Sequence, residues 1–143
     1  MITSDIADIF GYMDRAIAGI GARPAFYAEA ALIGKEAVRH RIESSKSDPD
    51  ERAWRPWTEG TAGRRQKRGT AGQGLLWDSG RLLRSVNARA VGSGIGIFAD
   101  TNYADSLQDG TQKMKARPFL GWSKADEDNI YAAFNAWIDR SIS

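Results

Sequence analysis

The chain has 143 residues, no cysteine and a net charge of +2. That length suits one ordinary domain, which buries roughly two-thirds of its extended-chain surface and so folds without metal or disulfide staples. Lacking cysteine, it has no disulfide framework and no cysteine-ligated zinc or iron–sulfur centre.

No apolar run approaches the roughly 20 residues that span a bilayer. The start, Met1-Ile2-Thr3-Ser4-Asp5, has no basic segment leading into an apolar stretch, so no signal peptide is expected. A soluble, cytoplasmic protein is the expectation for the newly made chain. Charge is unevenly spread: residues 51–90 hold nine Lys and Arg against three Asp and Glu, while both flanking stretches are slightly acidic. Such asymmetry steers an acidic partner, or sets a basic surface against an acidic face of another copy.

Ser4 is placed to cap a first helix, with Asp5 and Asp8 in its opening turns. Ile6, Ile9, Phe10, Met13 and Ile17 give that helix one apolar face, and Gly19 and Gly21 stop it. Pro24 suits the first turn of a second helix, whose stripe is Phe26, Tyr27, Ala30, Ile33, Ala37 and Ile42. Residues 1–43 thus predict a helical hairpin. Ser44 to Gly74 changes character. A polar turn around Asp48-Pro49-Asp50 is followed by Trp54-Arg55-Pro56-Trp57, and glycines at 60, 63, 69, 72 and 74 flank Arg64-Arg65-Gln66-Lys67-Arg68. A stretch so basic and glycine-rich has little to bury, which predicts a long mobile loop over 58–74 within a 44–74 excursion.

Asp78 or Ser79 is placed to cap a short helix through Arg81–Ser85. Asn87 to Ala99 reads as a β-hairpin, with Ala88 and Ala90 alternating on one arm, Ile95 and Ile97 on the other, and Gly92-Ser93-Gly94 at the bend. Tyr103 to Leu107 is a helical turn closed by Gly110, and Lys113 to Phe119 fits a further extended strand with Pro118 near its end. Ser123 caps a final helix with Asp126, Glu127 and Asp128 in its first turns and Ile130, Phe134, Trp137 and Ile138 as its stripe. The whole, residues 1–143, predicts one α+β domain. A small antiparallel sheet of about three or four strands, within 75–143, packs on the helical hairpin and the C-terminal helix.

Chemistry is hard to find. The only histidine, His40, lies between Arg39 and Arg41, without a partner at metal-binding spacing, and reads as a surface or rim residue. The carboxylate clusters sit in a turn and at a helix start, which account for them without catalysis. Gly92 to Gly96 precedes a strand, so a hairpin bend explains it better than a phosphate loop. The cations of 64–68 could bind a phosphate backbone, but no aromatic interleaves them for base stacking. Trp54 and Trp57 are interface candidates, one expected in the core and one toward a neighbour.

Taken in order, four segments resemble those of the phage virion morphogenesis (tail completion) family of Mu-like and related tailed phages. They are Trp54 to Thr58 before a basic stretch, Leu76 to Val86 with Gly80 and Leu82, Tyr103-Ala104 with Gln108 and Gly110, and Arg117-Pro118-Phe119-Leu120-Gly121. Leu107 departs from the pattern, where the family often has histidine before the glutamine. The resemblance implies a structural virion protein with no catalytic residue, no cofactor and no metal. It would complete or terminate the tail at the neck as a homo-oligomeric ring, six copies being preferred, between head connector and tail tube. DNA passing through the lumen would be a further contact, and no membrane is involved.

A ring needs heterologous interfaces, and a basic middle between acidic ends supplies complementary faces. Trp54, Trp57, Arg64, Arg65, Lys67 and Arg68 are the expected interface set, while Gly80, Leu82, Tyr103, Gly110, Arg117, Pro118 and Phe119 are structural. Neutralising the four cations is expected to block tail joining and leave the monomer folded. The alternatives are a small DNA-binding protein using 64–68, and a hydrolase with a carboxylate site.

Overall fold

A computed structural model describes residues 2–4, 23–91 and 94–142. Their order is β1 (Ile2–Ser4), α1 (Arg23–His40), a π-helical turn (Arg41–Ser45), α2 (Glu59–Arg68), a 3-10 turn (Ala71–Gln73), α3 (Arg81–Ser85), β2 (Val86–Val91), β3 (Gly94–Ala99), α4 (Ala104–Asp109) and α5 (Lys124–Ile142). Helices stand beside a small antiparallel sheet, an α+β arrangement. The expected first helix and its hairpin connection fall outside the described residues. Ser4, expected as its cap, is instead the last residue of β1 and pairs with Ile97.

The β2–β3 hairpin forms where two-residue alternation predicts it, with Val86 opposite Ala99, Ala88 opposite Ile97 and Ala90 opposite Ile95. β1 lies along the other edge of β3, in the order β1-β3-β2. Ile95, Ile97 and Ala99 share one face and are fully buried. On the other face the Arg89 guanidinium lies 5.1 Å from the Phe98 ring centroid.

α1 crosses the buried face of the sheet and also packs on α5. Pro24 sits in its first turn, where no backbone donor is lost. Its buried stripe runs Phe26, Tyr27, Ala30, Ala31 and Val38 and continues to Ile42 in the π-helical turn, while Ala37 is only half-buried. Gly34 lets the helix approach closely: a Cβ there would lie 2.5 Å from Trp122 and 2.9 Å from Ile97. α5 begins with a reciprocal cap in which Asp126 N–H donates to Ser123 Oγ at 3.0 Å and Ser123 N–H to the Asp126 carboxylate at 2.9 Å. Its Ile130, Phe134 and Trp137 close one half of the core against Phe26 and Tyr27, with the Phe26 and Phe134 rings edge-on at 5.2 Å. The other half gathers Val38, Ile42, Trp54, Leu82, Leu83, Val86, Ile97, Phe119 and Leu120. Each large side chain so buried contributes on the order of 1.5–3 kcal/mol.

Three expectations are corrected. First, the glycine-rich basic stretch is not a loop throughout, because Glu59–Arg68 is helical. Thr58 caps it by accepting from Thr61 N–H at 3.4 Å, Gly69 ends it at φ +76°, and Glu59 at one end and Arg65, Lys67 and Arg68 at the other oppose its dipole. Those end effects outweigh the roughly 1 kcal/mol that each interior glycine costs. Second, the residue at the cap position of α3 is Gly80 at φ +88°, not Asp78 or Ser79, although Ser79 Oγ accepts from Arg81 N–H at 3.3 Å. Asp78 is held by Arg65 and Arg68 instead. Third, Lys113–Phe119 is not a strand, because side chains from other elements satisfy much of the 117–121 backbone.

Candidate functional site

Residues 117–121 belong to no strand, and four consecutive carbonyls accept from side chains. Pro118 O accepts from Trp54 Nε1 at 2.7 Å, Phe119 O and Gly121 O from Arg41 Nη1 at 3.0 and 2.9 Å, and Leu120 O from Gln108 Nε2 at 3.3 Å. The donors are served too. Arg117 N–H donates to Leu107 O at 2.7 Å, while Phe119 and Leu120 N–H both donate to Gln108 Oε1, at 3.0 and 3.1 Å. Pro118 has no donor to serve. Arg117 answers the Trp54 bond by donating to Arg55 O at 2.9 Å and Pro56 O at 3.0 Å. The Trp54, Gln108 and Arg117-Pro118-Phe119 segments are thus one hydrogen-bonded frame. Phe119 fills its centre, fully buried.

Arg41 extends that frame to α5, because its guanidinium also pairs with the Asp126 carboxylate. Both residues are buried. Burial lowers the pKa of Arg41 and the Asp126 charge opposes that shift. A buried ion pair is sustained when its remaining donors and acceptors are also satisfied. Here the two carbonyls and Ser123 N–H do so.

A second knot fixes α2. Arg65 is 5 % exposed, donating from Nε to Thr70 Oγ1 at 2.8 Å and from Nη2 to Thr70 O, Gly74 O and Trp77 O. Its guanidinium lies 4.5 Å from the Trp57 ring centroid and its Nε 3.4 Å from Asp78, which Arg68 also reaches at 2.9 Å. Lys46, at the end of the π-helical turn, donates to Ile42 O, Gln73 O and Leu75 O and so ties α1 to the same segment. Desolvation and nearby Arg65 both lower its pKa, against the opposing pull of Glu43.

Between the two knots lies an open cleft of about 950 Å³. Its floor and walls include Pro56, Leu75, Leu76, Leu82, Leu107 and Met114. Trp57 and Tyr103 line it as well, each with a guanidinium on one face, since Arg81 lies 5.9 Å from the Tyr103 centroid. Arg55, Arg81, Lys113 and Lys115 stand exposed at its rim. The cleft's acid is Asp78, already committed to Arg65 and Arg68. The arrangement presents unneutralised positive charge over an apolar wall, suited to gripping something acidic.

Of the two tryptophans expected at an interface, Trp54 is in the core and Trp57 half-buried at the cleft. Arg64 and Lys67 are exposed on α2, Arg64 donating to Thr61 Oγ1 at 3.0 Å. Arg65 belongs to the interior and Arg68 to the Asp78 pair. Gly80 and Leu82 set α3, while Gly110, at φ +78°, turns the chain so tightly that a Cβ would meet Ala116 N at 2.8 Å and Met114 O at 3.0 Å. Sequence reasoning missed Arg41 and Lys46, and gave Gln108 no physical task. Arg41 did carry a signal, an arginine beside Ile42 and three residues after Val38 on an otherwise apolar stripe. His40 is exposed, and no group of three or more metal-binding side chains occurs among the described residues.

No curated protein and no solved structure matches the chain. The segments that build the frame are nevertheless those expected of one set of phage assembly proteins, and a model of that set matches residues 8–139. This chain belongs to the phage virion morphogenesis family.

Proposed function

We propose that the chain is a structural subunit of the phage neck, completing or terminating the tail as a homo-oligomeric ring, six copies being preferred, between connector and tail tube. The observation that carries this is the frame. Its family-like segments have their backbone and side-chain groups spent on one another, leaving a shaped, charged surface as the working part. Membership of a virion morphogenesis family supports a role in building the particle. The mechanism is contact: Trp57, the exposed cations of α2 and the basic cleft would meet the adjacent subunit or the connector.

The exposed Arg64 and Lys67 also favour a second reading, a small DNA-binding protein. Arg65 and Arg68 are already paired, however, which weakens the run as a phosphate grip. Electron microscopy of particles made without this protein tests the proposal. Tailless heads and unjoined tails are expected, with the purified chain visible as rings. Normal particles would remove the idea. Neutralising Arg64 and Lys67 is the fair surface test, because altering Arg65 would loosen the monomer itself.

A further inference from the structure

The basic cleft needs an acidic occupant, and the chain carries a preformed one elsewhere on its surface. Asp48, Pro49, Asp50, Glu51 and Arg52 make a tight turn closed by a bridge between Ser47 and Ala53. The Asp48 carboxylate accepts from Asp50 N–H and Arg52 N–H, each at 2.9 Å, which fixes the turn from inside. Glu51 takes a left-handed φ of +65° and is exposed. The Asp50 side chain is 72 % exposed, and its own partner Arg52 lies at the 4.0 Å limit, a pairing that water screens to little value. The result is a rigid acidic tip.

The tip and the cleft are separate surfaces. Asp48, Pro49 and Glu51 border a groove between α1 and α5, and that groove shares no lining residue with the basic cleft. At the rim Arg55, Lys113 and Lys115 have no ion pair among the described residues. We infer that the basic cleft of one copy receives the Asp48–Arg52 turn of a second copy, Asp50 and Glu51 meeting the Arg55, Lys113 and Lys115 rim. Where the contact is not reciprocated between two copies it repeats head to tail, and rotation closes it into a ring. The fixed turn loses little conformational freedom on docking. A nucleic acid is the poorer occupant, because Trp57 and Tyr103 each already hold a guanidinium on one face.

The inference rests on the ring reading above and adds the surfaces that meet. Four full-length proteins test it at low salt by sedimentation velocity, with circular dichroism to establish folding. They are wild type, Asp50→Lys with Glu51→Lys, Arg55→Glu with Lys115→Glu, and the chain carrying all four changes. Each double reversal is expected to weaken self-association by about tenfold or more, and the fourfold chain to recover it, since reversed charges attract again. Wild-type association should also weaken as salt rises.

Reversals without effect, or with no recovery in the fourfold chain, overturn this pairing and leave the ring reading to the particle experiment. A wild type still monomeric at about 1 mM also overturns it. So does duplex DNA binding that the Arg55 and Lys115 reversals abolish while self-association is unchanged.

Discussion

Replacing Arg41 with methionine tests whether one buried cation holds three parts of the molecule together. Methionine keeps most of the volume and removes every donor. Phe119 O and Gly121 O would lose their partner, and Asp126, 7 % exposed, would keep its charge with only the Ser123 N–H bond left among those described. Breaking a buried pair on one side costs about 3–5 kcal/mol, a large part of the ~5–15 kcal/mol that holds a domain folded. Urea unfolding followed by circular dichroism should therefore show a clearly lower midpoint with little change in slope. Asp126→Asn, which keeps an acceptor at the helix start, should cost less. The double variant should cost less than the sum, by about 1–3 kcal/mol, because the two groups share one interaction. Hydrogen exchange at residues 119–121 should speed up in the Arg41 variant beyond the rest of the chain. An Arg41→Met cost below about 1 kcal/mol, or strict additivity with Asp126→Asn, would refute the reasoning.

Gln108→Ala strips one acceptor from two backbone donors and one donor from Leu120 O. At about 1 kcal/mol per bond, a loss of about 2–4 kcal/mol is expected in thermal unfolding, and Gln108→Glu, which keeps the acceptor, should lose less. Glycine substitutions should differ in sign. Gly110→Ala forces a Cβ against Ala116 N and Met114 O at positive φ and should destabilise by more than ~1 kcal/mol. Gly63→Ala, in the interior of α2 with nothing within 4 Å of a new Cβ, should stabilise by about 0.5–1 kcal/mol. Equal effects at the two sites, measured by chemical denaturation, would show that α2 is not the helix described.

The legible parts were those decided locally. The alternation around Ile95 and Ile97 and the glycine that ends α4 each rest on a few neighbouring residues. So does the reciprocal cap of Ser123 and Asp126, and all three stand where the residues predict them. The face of α1 was nearly right, shifted from Ala37 to Val38 because Gly34 lets the helix settle against Ile97 and Trp122. α2 was missed for a related reason. Counting glycines weighs the helix interior, whereas Thr58, Gly69 and the charges at its ends, together with the burial of Arg65, tip the balance.

Residue order alone determined the α+β class and the family, because periodicity, turns and caps act over a few positions. Only tertiary structure decided what those segments do for one another. Trp54, Arg41, Gln108 and Arg117 tie Pro118 to Gly121 and its surroundings together by hydrogen bonds between residues 11 to 80 apart in sequence, and bonds over such separations leave no periodic trace. The cleft is legible only in three dimensions for the same reason: its rim cations come from three separate stretches that folding alone brings together.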